Sequence, residues 1–172
     1  MDARTDQQRL LSTFAELLAY PAGDLAPLAR RCHALLKGRD SAARLEAFAA
    51  RAERARPHEL EELYAATFDL DPACAPYVGH HLCGDGPQRG LFLSRLAEVY
   101  RKDGFAVAAP GGELPDHLTV VLRYLAAVGG GADRQALLED GLVPALDKMV
   151  ATLDDPENVY RAVLQALRQE VA

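Results

Sequence analysis

Apolar residues recur at helical spacing along nearly the whole chain. The first stripe consists of Leu10, Leu11, Phe14, Leu17 and Leu18. Thr5 lies just before this stripe and Gln8 follows three residues later, which is the pattern of a capping box at a helix start. Pro21 then ends the stripe, because proline lacks the amide hydrogen that a helix needs. The opening segment therefore predicts an amphipathic helix.

The same spacing predicts seven further helical stretches, over 24–38, 41–56, 58–68, 89–104, 116–128, 132–153 and 157–171. Asp24 is placed to cap the second helix of the chain, and the third opens at Ser41. Pro144 predicts a bend in the seventh, since its ring clashes with the preceding turn. Pro156 predicts the start of the eighth.

Only two short stretches, 105–109 and 118–121, have the composition of strands, and neither has an evident partner. A loop is expected over 106–115, where glycine and proline interrupt the pattern. No internal repeat, low-complexity tract or long linker divides the chain. We therefore predict a single domain over residues 1–172 with an all-α fold, a helical bundle.

Composition and charge narrow the function classes. The chain has 172 residues, enough for one domain to bury roughly 70% of its unfolded surface. Its 19 Lys and Arg against 25 Asp and Glu give a net charge of −6, which argues against nucleic-acid binding through a basic face and permits a basic partner. No apolar run approaches the ~20 residues of a membrane span, so no stable membrane insertion is expected.

The cysteines and the N-terminus indicate the compartment. Acidic residues precede the first apolar residues and no cleavage site follows them, so the N-terminus does not have the pattern of a secretory signal. Cys32, Cys74 and Cys83 cannot all pair within one chain. An odd number of cysteines without such a signal favours free thiols in a reducing cytoplasm, where we expect the protein to act.

The segment HHLCGDGPQRG, residues 80–90, contains residue types that occur in metal sites. His80, His81, Cys83 and Cys74 are candidate ligands, with His117 available from a distant segment. Structural zinc sites use paired spacings such as C-x2-4-C, which are absent here, and adjacent helical histidines point about 100° apart. The pattern favours packing and hydrogen-bonding roles, and we expect no metal ligands.

Two other kinds of site fit the same segment poorly. It lacks the spacing and the lysine of a phosphate-binding loop, and no strand precedes it. Cys83 near His81 has no orienting third group and no oxyanion hole, so nucleophilic catalysis is not indicated. Gly84 and Gly86 predict a helix stop and a turn, which Asp85 could cap.

A second polar cluster is ELPDH, residues 113–117. Pro115 fixes the backbone at a predicted helix start, where the helix dipole favours the carboxylates of Glu113 and Asp116. An ordinary capped N-terminus accounts for the pattern as well as a functional loop does. In the functional interpretation, two carboxylates and the His117 imidazole face a basic or polar peptide.

Three blocks together resemble a known family. They are LEELYAATFDL (60–70), YVGHHLCGDGPQRGLFLSRLAEVYRKDGF (77–105) and GGELPDHLTVVLRYLA (112–126). In order and spacing they are similar to the NarJ-type molybdoenzyme assembly chaperones of the TorD/DmsD group of redox-enzyme maturation proteins. The TFD, HHL and GD combination resembles the nitrate reductase branch. Two positions depart from it: Cys83 stands where an aromatic residue is common, and Arg123 where an acidic one is.

The resemblance implies an all-α cytoplasmic chaperone of the TorD/NarJ type, with no catalytic residues and no cofactor of its own. Such proteins bind the N-terminal segment of the apo catalytic subunit of a respiratory molybdoenzyme, a remnant of a twin-arginine signal in the nitrate reductase branch. They assist insertion of the molybdenum cofactor, and cofactor-biosynthesis proteins are possible further partners. Two alternatives stay open: a client of the dimethyl sulfoxide, chlorate or hydrocarbon-oxidising type, and a small metal- or nucleotide-binding regulator.

The resemblance also assigns expected roles to residues. Carboxylates at the rim of an apolar groove would meet basic residues of the client and steer its encounter. Expected contacts of the client peptide are Glu113, Pro115, Asp116, His117 and Asp85 at the rim, with Tyr64, Phe68 and Tyr77 as the apolar lining. Expected structural residues of the family motif are Gly84, Arg89, Gly90 and Tyr100. Nearby carboxylates are expected to favour protonated His117.

Overall fold

The structure is a computed structural model, and it describes residues 5–107 and 112–172. Within those ranges the chain forms ten α-helices and one π-helical segment. They are α1 (Asp6–Leu17), α2 (Ala26–Leu35), α3 (Ala42–Arg54), α4 (Pro57–Phe68), α5 (Val78–Cys83), α6 (Pro87–Lys102), α7 (Leu118–Ala127), α8 (Ala132–Ala136), the π-helical segment Leu137–Leu142, α9 (Val143–Thr152) and α10 (Val159–Glu170). The prediction of an all-α fold is confirmed.

The first three helices start where the sequence predicts. Thr5 and Gln8 form the expected capping box, each side chain bonded to the other residue's amide. The Asp24 carboxylate accepts the Ala26 amide at 2.9 Å. The third helix opens at Ser41 as predicted, since α3 begins at Ala42, and the Ser41 hydroxyl donates to the Glu170 carboxylate near the far end of the chain.

The predicted bend at Pro144 takes the form of a π-helical turn. Helical bonding widens over Leu137–Leu142, so that the Val143 amide donates to the Leu138 carbonyl five residues back. Pro144 then occupies the first turn of α9, where its missing amide costs little. Asn158, whose side chain accepts the Tyr160 amide at 3.0 Å, caps α10, so the prediction that Pro156 starts this helix is wrong.

Neither strand candidate forms a strand in the part of the chain that the structure describes. Residues 118–121 lie in the first turn of α7, because the helical spacing of their apolar side chains fits a core-facing helix. Residues 105–107 are irregular, and the rest of the other candidate lies outside the described residues, as does part of the expected loop over 106–115. The one strand-like pairing within the described ranges is an isolated antiparallel bridge between Tyr77 and His117.

The helices enclose one connected apolar core. α1 packs along α7, α2 along α3, and α10 against both α3 and α9, while α5 packs on α6 and α9. The largest fully buried side chains include Phe14, Phe48, Tyr100, Tyr124 and Tyr160. Among the residues described, no helix combines the length and the apolarity that crossing a bilayer requires.

Candidate functional site

The two polar clusters of the sequence meet in space through their backbones. The Val78 amide donates to the Asp116 carbonyl at 2.8 Å, and the Leu118 amide donates to the Pro76 carbonyl at 2.8 Å. These bonds fix the start of α5 beside the start of α7. The segments 77–90 and 113–118 therefore form one structural unit.

Asp116 lies at the centre of this unit and is fully buried. Its carboxylate accepts the Gly79 amide at 3.1 Å and Arg89 Nε at 3.1 Å. The expectation that Asp116 faces a client at a groove rim is therefore wrong. The side chain is turned inward because a buried carboxylate needs a cation and hydrogen-bond donors, and Arg89 and Gly79 supply them.

Gly79 is required by this arrangement, although the sequence analysis did not single it out. A Cβ atom at position 79 would come within 2.7 Å of Asp116 Oδ2 and 2.8 Å of Phe92 Cδ1, closer than packed atoms tolerate. Gly90, expected to be a structural glycine, has nothing within 4 Å of the corresponding position. No contact within the described chain explains the glycine at 90.

Arg89 joins the buried unit to the surface turn. Its Nη1 donates to Asp85 Oδ1 at 3.0 Å, and its guanidinium lies 5.0 Å from the centre of the Tyr77 ring, a cation–π contact. Burial opposes the charge on Arg89, yet its hydrogen bonds to the carboxylates of Asp116 and Asp85 and their negative charges outweigh it and raise the pKa of Arg89. Asp85 also accepts a hydrogen bond from His80, which is the largest cause of its lowered pKa.

The turn and the loop are fixed by two further family-motif residues. Gly84 ends α5 with a positive φ of 69°, a conformation that side-chain-bearing residues rarely adopt. The Tyr100 hydroxyl donates to the Pro115 carbonyl at 2.9 Å, and burial raises the Tyr100 pKa. Tyr100 therefore holds the loop before α7 from the side of α6.

A cleft of about 240 Å³ opens beside this unit, between the end of α1, the end of α4 and the start of α7. Its lining residues are Ala19, Tyr20, Tyr64, Phe68, Asp69, Pro76, Tyr77, Glu113, His117, Thr119 and Arg123. Five expected contact residues line it: Tyr64, Phe68, Tyr77, Glu113 and His117. The other three, Pro115, Asp116 and Asp85, do not.

Aromatic rings form one wall of the cleft. Tyr20 meets Tyr64 edge to face at 5.5 Å, and Tyr64 meets Phe68 at 5.2 Å. Tyr64 and Phe68 are almost buried, whereas Tyr20 is 55% exposed. Sequence reasoning missed Tyr20, whose only signal was an aromatic residue directly before the helix-ending Pro21. An exposed aromatic ring resting on buried ones offers rigid apolar contact area to a partner.

The His117 imidazole favours its neutral, unprotonated form, contrary to expectation. Burial lowers its pKa and outweighs the opposing influence of Glu113, whose carboxylate lies 3.7 Å from Nε2. On the other side of the ring, Nδ1 accepts the Thr119 amide at 3.3 Å and so caps α7. The expectation of a protonated His117 is wrong, because it weighed the carboxylates and left out the burial.

The rim of the cleft carries both charge signs. Glu113 and Asp69 contribute carboxylates, and Arg123 contributes an exposed guanidinium. Burial, with smaller contributions from Glu113 and Asp69, raises the Tyr64 pKa to about 12, so both acids lie close enough to this ring to act on it. Asp69 belongs to the TFD block of the sequence, which could have identified it. Arg123 stood out in the sequence only because it departs from the residue type common in the nitrate reductase branch.

The candidate metal ligands have other partners. His80 Nδ1 lies 2.9 Å from Asp85, and His81 Nε2 lies 2.7 Å from the Ala75 carbonyl. Within residues 5–107 and 112–172, no group of three or more His, Cys, Asp or Glu side chains is placed to hold a metal ion. Burial raises the pKa of Cys32 and of Cys74 to about 12, which keeps both thiols protonated and unreactive.

Comparison with known proteins identifies the family to which this chain is similar. Residues 33–167 match the nitrate reductase delta subunit family. The nitrate reductase-like protein NarX of Mycobacterium tuberculosis (strain H37Rv) is 34% identical over 129 residues, which is 75% of this chain and 17% of that protein. A probable nitrate reductase molybdenum cofactor assembly chaperone, NarJ of Bacillus subtilis (strain 168), is 26% identical over 95% of this chain and 88% of its own length.

A solved structure has the same fold. It is the crystal structure of an Archaeoglobus fulgidus protein assigned as a redox enzyme maturation protein. The two superpose with a TM-score of 0.65 at 21% identity, covering 95% of this chain and 91% of the other. The expectation of a bundle of this type is confirmed at the level of fold. The chain spans only 17% of the length of its mycobacterial relative.

Proposed function

The chain belongs to the nitrate reductase delta subunit family, and on that premise we propose that it is an assembly chaperone, rather than an enzyme, for a respiratory nitrate reductase. In this proposal it binds the N-terminal segment of the apo catalytic subunit and holds that subunit competent for molybdenum cofactor insertion. The family match covers the three blocks on which the resemblance rests. The relative from Bacillus subtilis is named for the same role.

One observation carries the proposal: an aromatic cleft with acids at its rim lies beside the two most distinctive sequence motifs. A partner for such a cleft has apolar side chains for the Tyr20–Tyr64–Phe68 wall and basic side chains for Glu113 and Asp69. Exposed rim charges chiefly steer encounter and set specificity, while the apolar wall supplies affinity. An amphipathic basic segment, as expected of a twin-arginine remnant, has this chemistry.

Three further points belong to the proposal. We propose that the chain acts in the cytoplasm, where cofactor insertion into an apo subunit takes place, alongside cofactor-biosynthesis proteins. We propose that residues 1–172 fold as one unit. We also propose that Arg89, Asp116 and Gly84 act by fixing the cleft and make no contact with the client. Its contacts are the five expected residues that line the cleft: Glu113, His117, Tyr64, Phe68 and Tyr77.

Calorimetric titration with synthetic N-terminal segments tests the proposal. The nitrate reductase catalytic subunit of the same organism provides one peptide, and catalytic subunits of its other molybdoenzymes provide the rest. We expect the nitrate reductase segment to bind and Glu113→Lys with Asp69→Lys to weaken it, because both substitutions reverse the rim charge without touching the buried Asp116. Binding should also weaken as salt rises, since exposed charges are screened over about 8 Å at physiological ionic strength.

Circular dichroism checks that the double variant keeps its helix content. Binding of the nitrate reductase segment with unchanged affinity by the double variant would place the client elsewhere on the bundle. Preference for a dimethyl sulfoxide, chlorate or hydrocarbon-oxidising subunit would replace the client and keep the chaperone role. Absence of binding to every segment would overturn the proposal.

A further inference from the structure

Arg123, on the exposed side of α7, separates two hollows of the surface. On one side is the cleft described above, of which Arg123 forms part of the rim. On the other is a hollow of about 180 Å³, lined by Phe105, Ala106, Val107, Val120 and Arg123. Apart from the arginine, the described residues of this second lining are all apolar. A bound segment that crosses Arg123 would therefore find apolar contacts on both sides of a single cation.

The guanidinium of Arg123 keeps most of its hydrogen-bonding capacity. Its Nε donates to the Thr119 carbonyl one turn earlier in α7, at 3.2 Å. No carboxylate of the described residues lies within ion-pair distance of it, and the nearby Glu113 faces His117 at 3.7 Å. A guanidinium presents five donors in a planar fork, which matches a carboxylate better than any other ordinary side chain.

We propose that Arg123 binds an acidic side chain of the client segment, and that the segment continues past it into the second hollow. This inference rests on the proposed function and specifies the pattern of charges that the client segment carries. The occupant is a helical segment with apolar anchors about one turn apart, as in other helix-in-groove complexes. It carries a basic residue for Glu113 and Asp69 and, further along, an acidic residue for Arg123.

This arrangement determines the direction in which the segment binds. Rim carboxylates alone would accept any basic amphipathic helix in either direction. Arg123 lies at the boundary with the second hollow, whereas Glu113 and Asp69 line only the first cleft, so opposite charges on the segment favour one orientation and the reverse brings like charges together.

The test is a charge-reversal cycle with synthetic peptides of the N-terminal segment of the nitrate reductase catalytic subunit from the same organism. Each acidic residue of the peptide is replaced in turn by glutamine and by lysine. The proteins are the wild type, Arg123→Gln and Arg123→Glu, with Arg95→Glu as the matched control. Arg95 is an exposed arginine on α6 that lines a different hollow, whose lining contains neither Glu113 nor His117.

We expect Arg123→Glu to weaken binding about tenfold or more, as for loss of a charge-assisted hydrogen bond, and Arg95→Glu to leave it unchanged. One peptide position should weaken wild-type binding when it becomes glutamine and have no further effect in Arg123→Gln. Lysine at that same position should restore binding to Arg123→Glu.

The outcomes separate this inference from the proposed function. If the wild type binds none of these peptides, the proposed function fails for this client. If the wild type binds and Arg123→Glu binds equally well, the function stands and the role of Arg123 is refuted. Equal losses for Arg95→Glu and Arg123→Glu, or tight binding of a segment without acidic residues, would also refute it.

Discussion

Asp116 and Arg89, 27 residues apart in the chain, form an ion pair of 3.1 Å in which the carboxylate is fully buried. The same carboxylate accepts the Gly79 amide, so one buried oxygen joins the starts of α5, α6 and α7. The aspartate of ELPDH and the arginine of GDGPQRG are thus partners of each other. Asp116 and Arg89 fix the segments beside the cleft, and nearby residues such as Glu113, His117 and Tyr77 line it.

Loss of the buried carboxylate should destabilise the protein strongly. We expect Asp116→Ala to lower the free energy of unfolding by about 3 kcal/mol or more, because it leaves the largely buried Arg89 and the Gly79 amide without their partner. Asp85→Ala removes the exposed partner of the same arginine and should have a clearly smaller effect. Urea unfolding of the two variants measures both values, and equal losses would contradict the assignment of Asp116 as the buried support.

Two glycine substitutions should act in opposite directions. Gly79→Ala forces a methyl group against Asp116 and Phe92, and overpacking of this kind costs about 1–3 kcal/mol. Gly90→Ala adds a methyl group in open space within α6 and should stabilise the helix by up to about 1 kcal/mol. Thermal unfolding of the two variants shows whether each substitution raises or lowers the stability of the protein. Destabilisation by Gly90→Ala would reveal a constraint that the described contacts do not contain.

His117 should make the protein less stable in mild acid. Burial lowers its pKa below the ordinary value of 6.5, so below about pH 6.5 the unfolded chain binds more protons than the folded one. Its contribution to stability is full well above that pH and is lost as the pH falls through 6.5 towards the lowered folded pKa. His81, whose pKa burial also lowers, acts in the same direction.

The variant His117→Asn isolates the first contribution, because an asparagine oxygen can still accept the Thr119 amide at the start of α7. Unfolding free energies of the wild type and the variant are compared between pH 7.5 and pH 5.5. We expect a shallower decline in the variant. Parallel curves would mean that His117 takes up its proton without hindrance in the folded state.

Unfolding should be a single cooperative transition if residues 1–172 fold as one unit. Contacts between distant parts of the chain support this expectation: Arg39 and Ser41 both bind Glu170 near the C-terminus, and α3 packs on α10. Far-ultraviolet circular dichroism and tyrosine fluorescence, followed in the same urea titration, should give coincident curves. Two separated transitions would divide the chain into independent parts.

Much of the fold could be predicted from the sequence because helical spacing, proline and glycine act locally. The capping box at Thr5 and the helix stop at Gly84 depend only on neighbouring residues, and both are as expected. What the sequence could not predict depends on distant residues. The contact between Ser41 and Glu170 is one example, because no local pattern contains that information.

In the candidate site, too, features set by neighbouring residues could be predicted and features set by distant residues could not. Local physics placed Asp116 at a helix start, where carboxylates are common, and did not indicate that Arg89 from another helix would bury it. Desolvation of His117 likewise depends on the tertiary environment of the ring. Aromatic residues of the cleft were found because they fall within family blocks, whereas Tyr20 lies outside those blocks and needed the structure.

Photo-crosslinking from the cleft tests the central claim most directly. A photoreactive phenylalanine derivative is placed at Tyr20, in the aromatic wall, or at Leu91, on α6 outside the cleft. The two side chains are 55% and 54% exposed, so their general reactivity is matched. With the N-terminal segment of the nitrate reductase catalytic subunit as partner, we expect crosslinks from position 20 that excess unlabelled segment abolishes, and none from position 91. Crosslinks from position 91 with none from position 20 would contradict the claim that the client binds in this cleft.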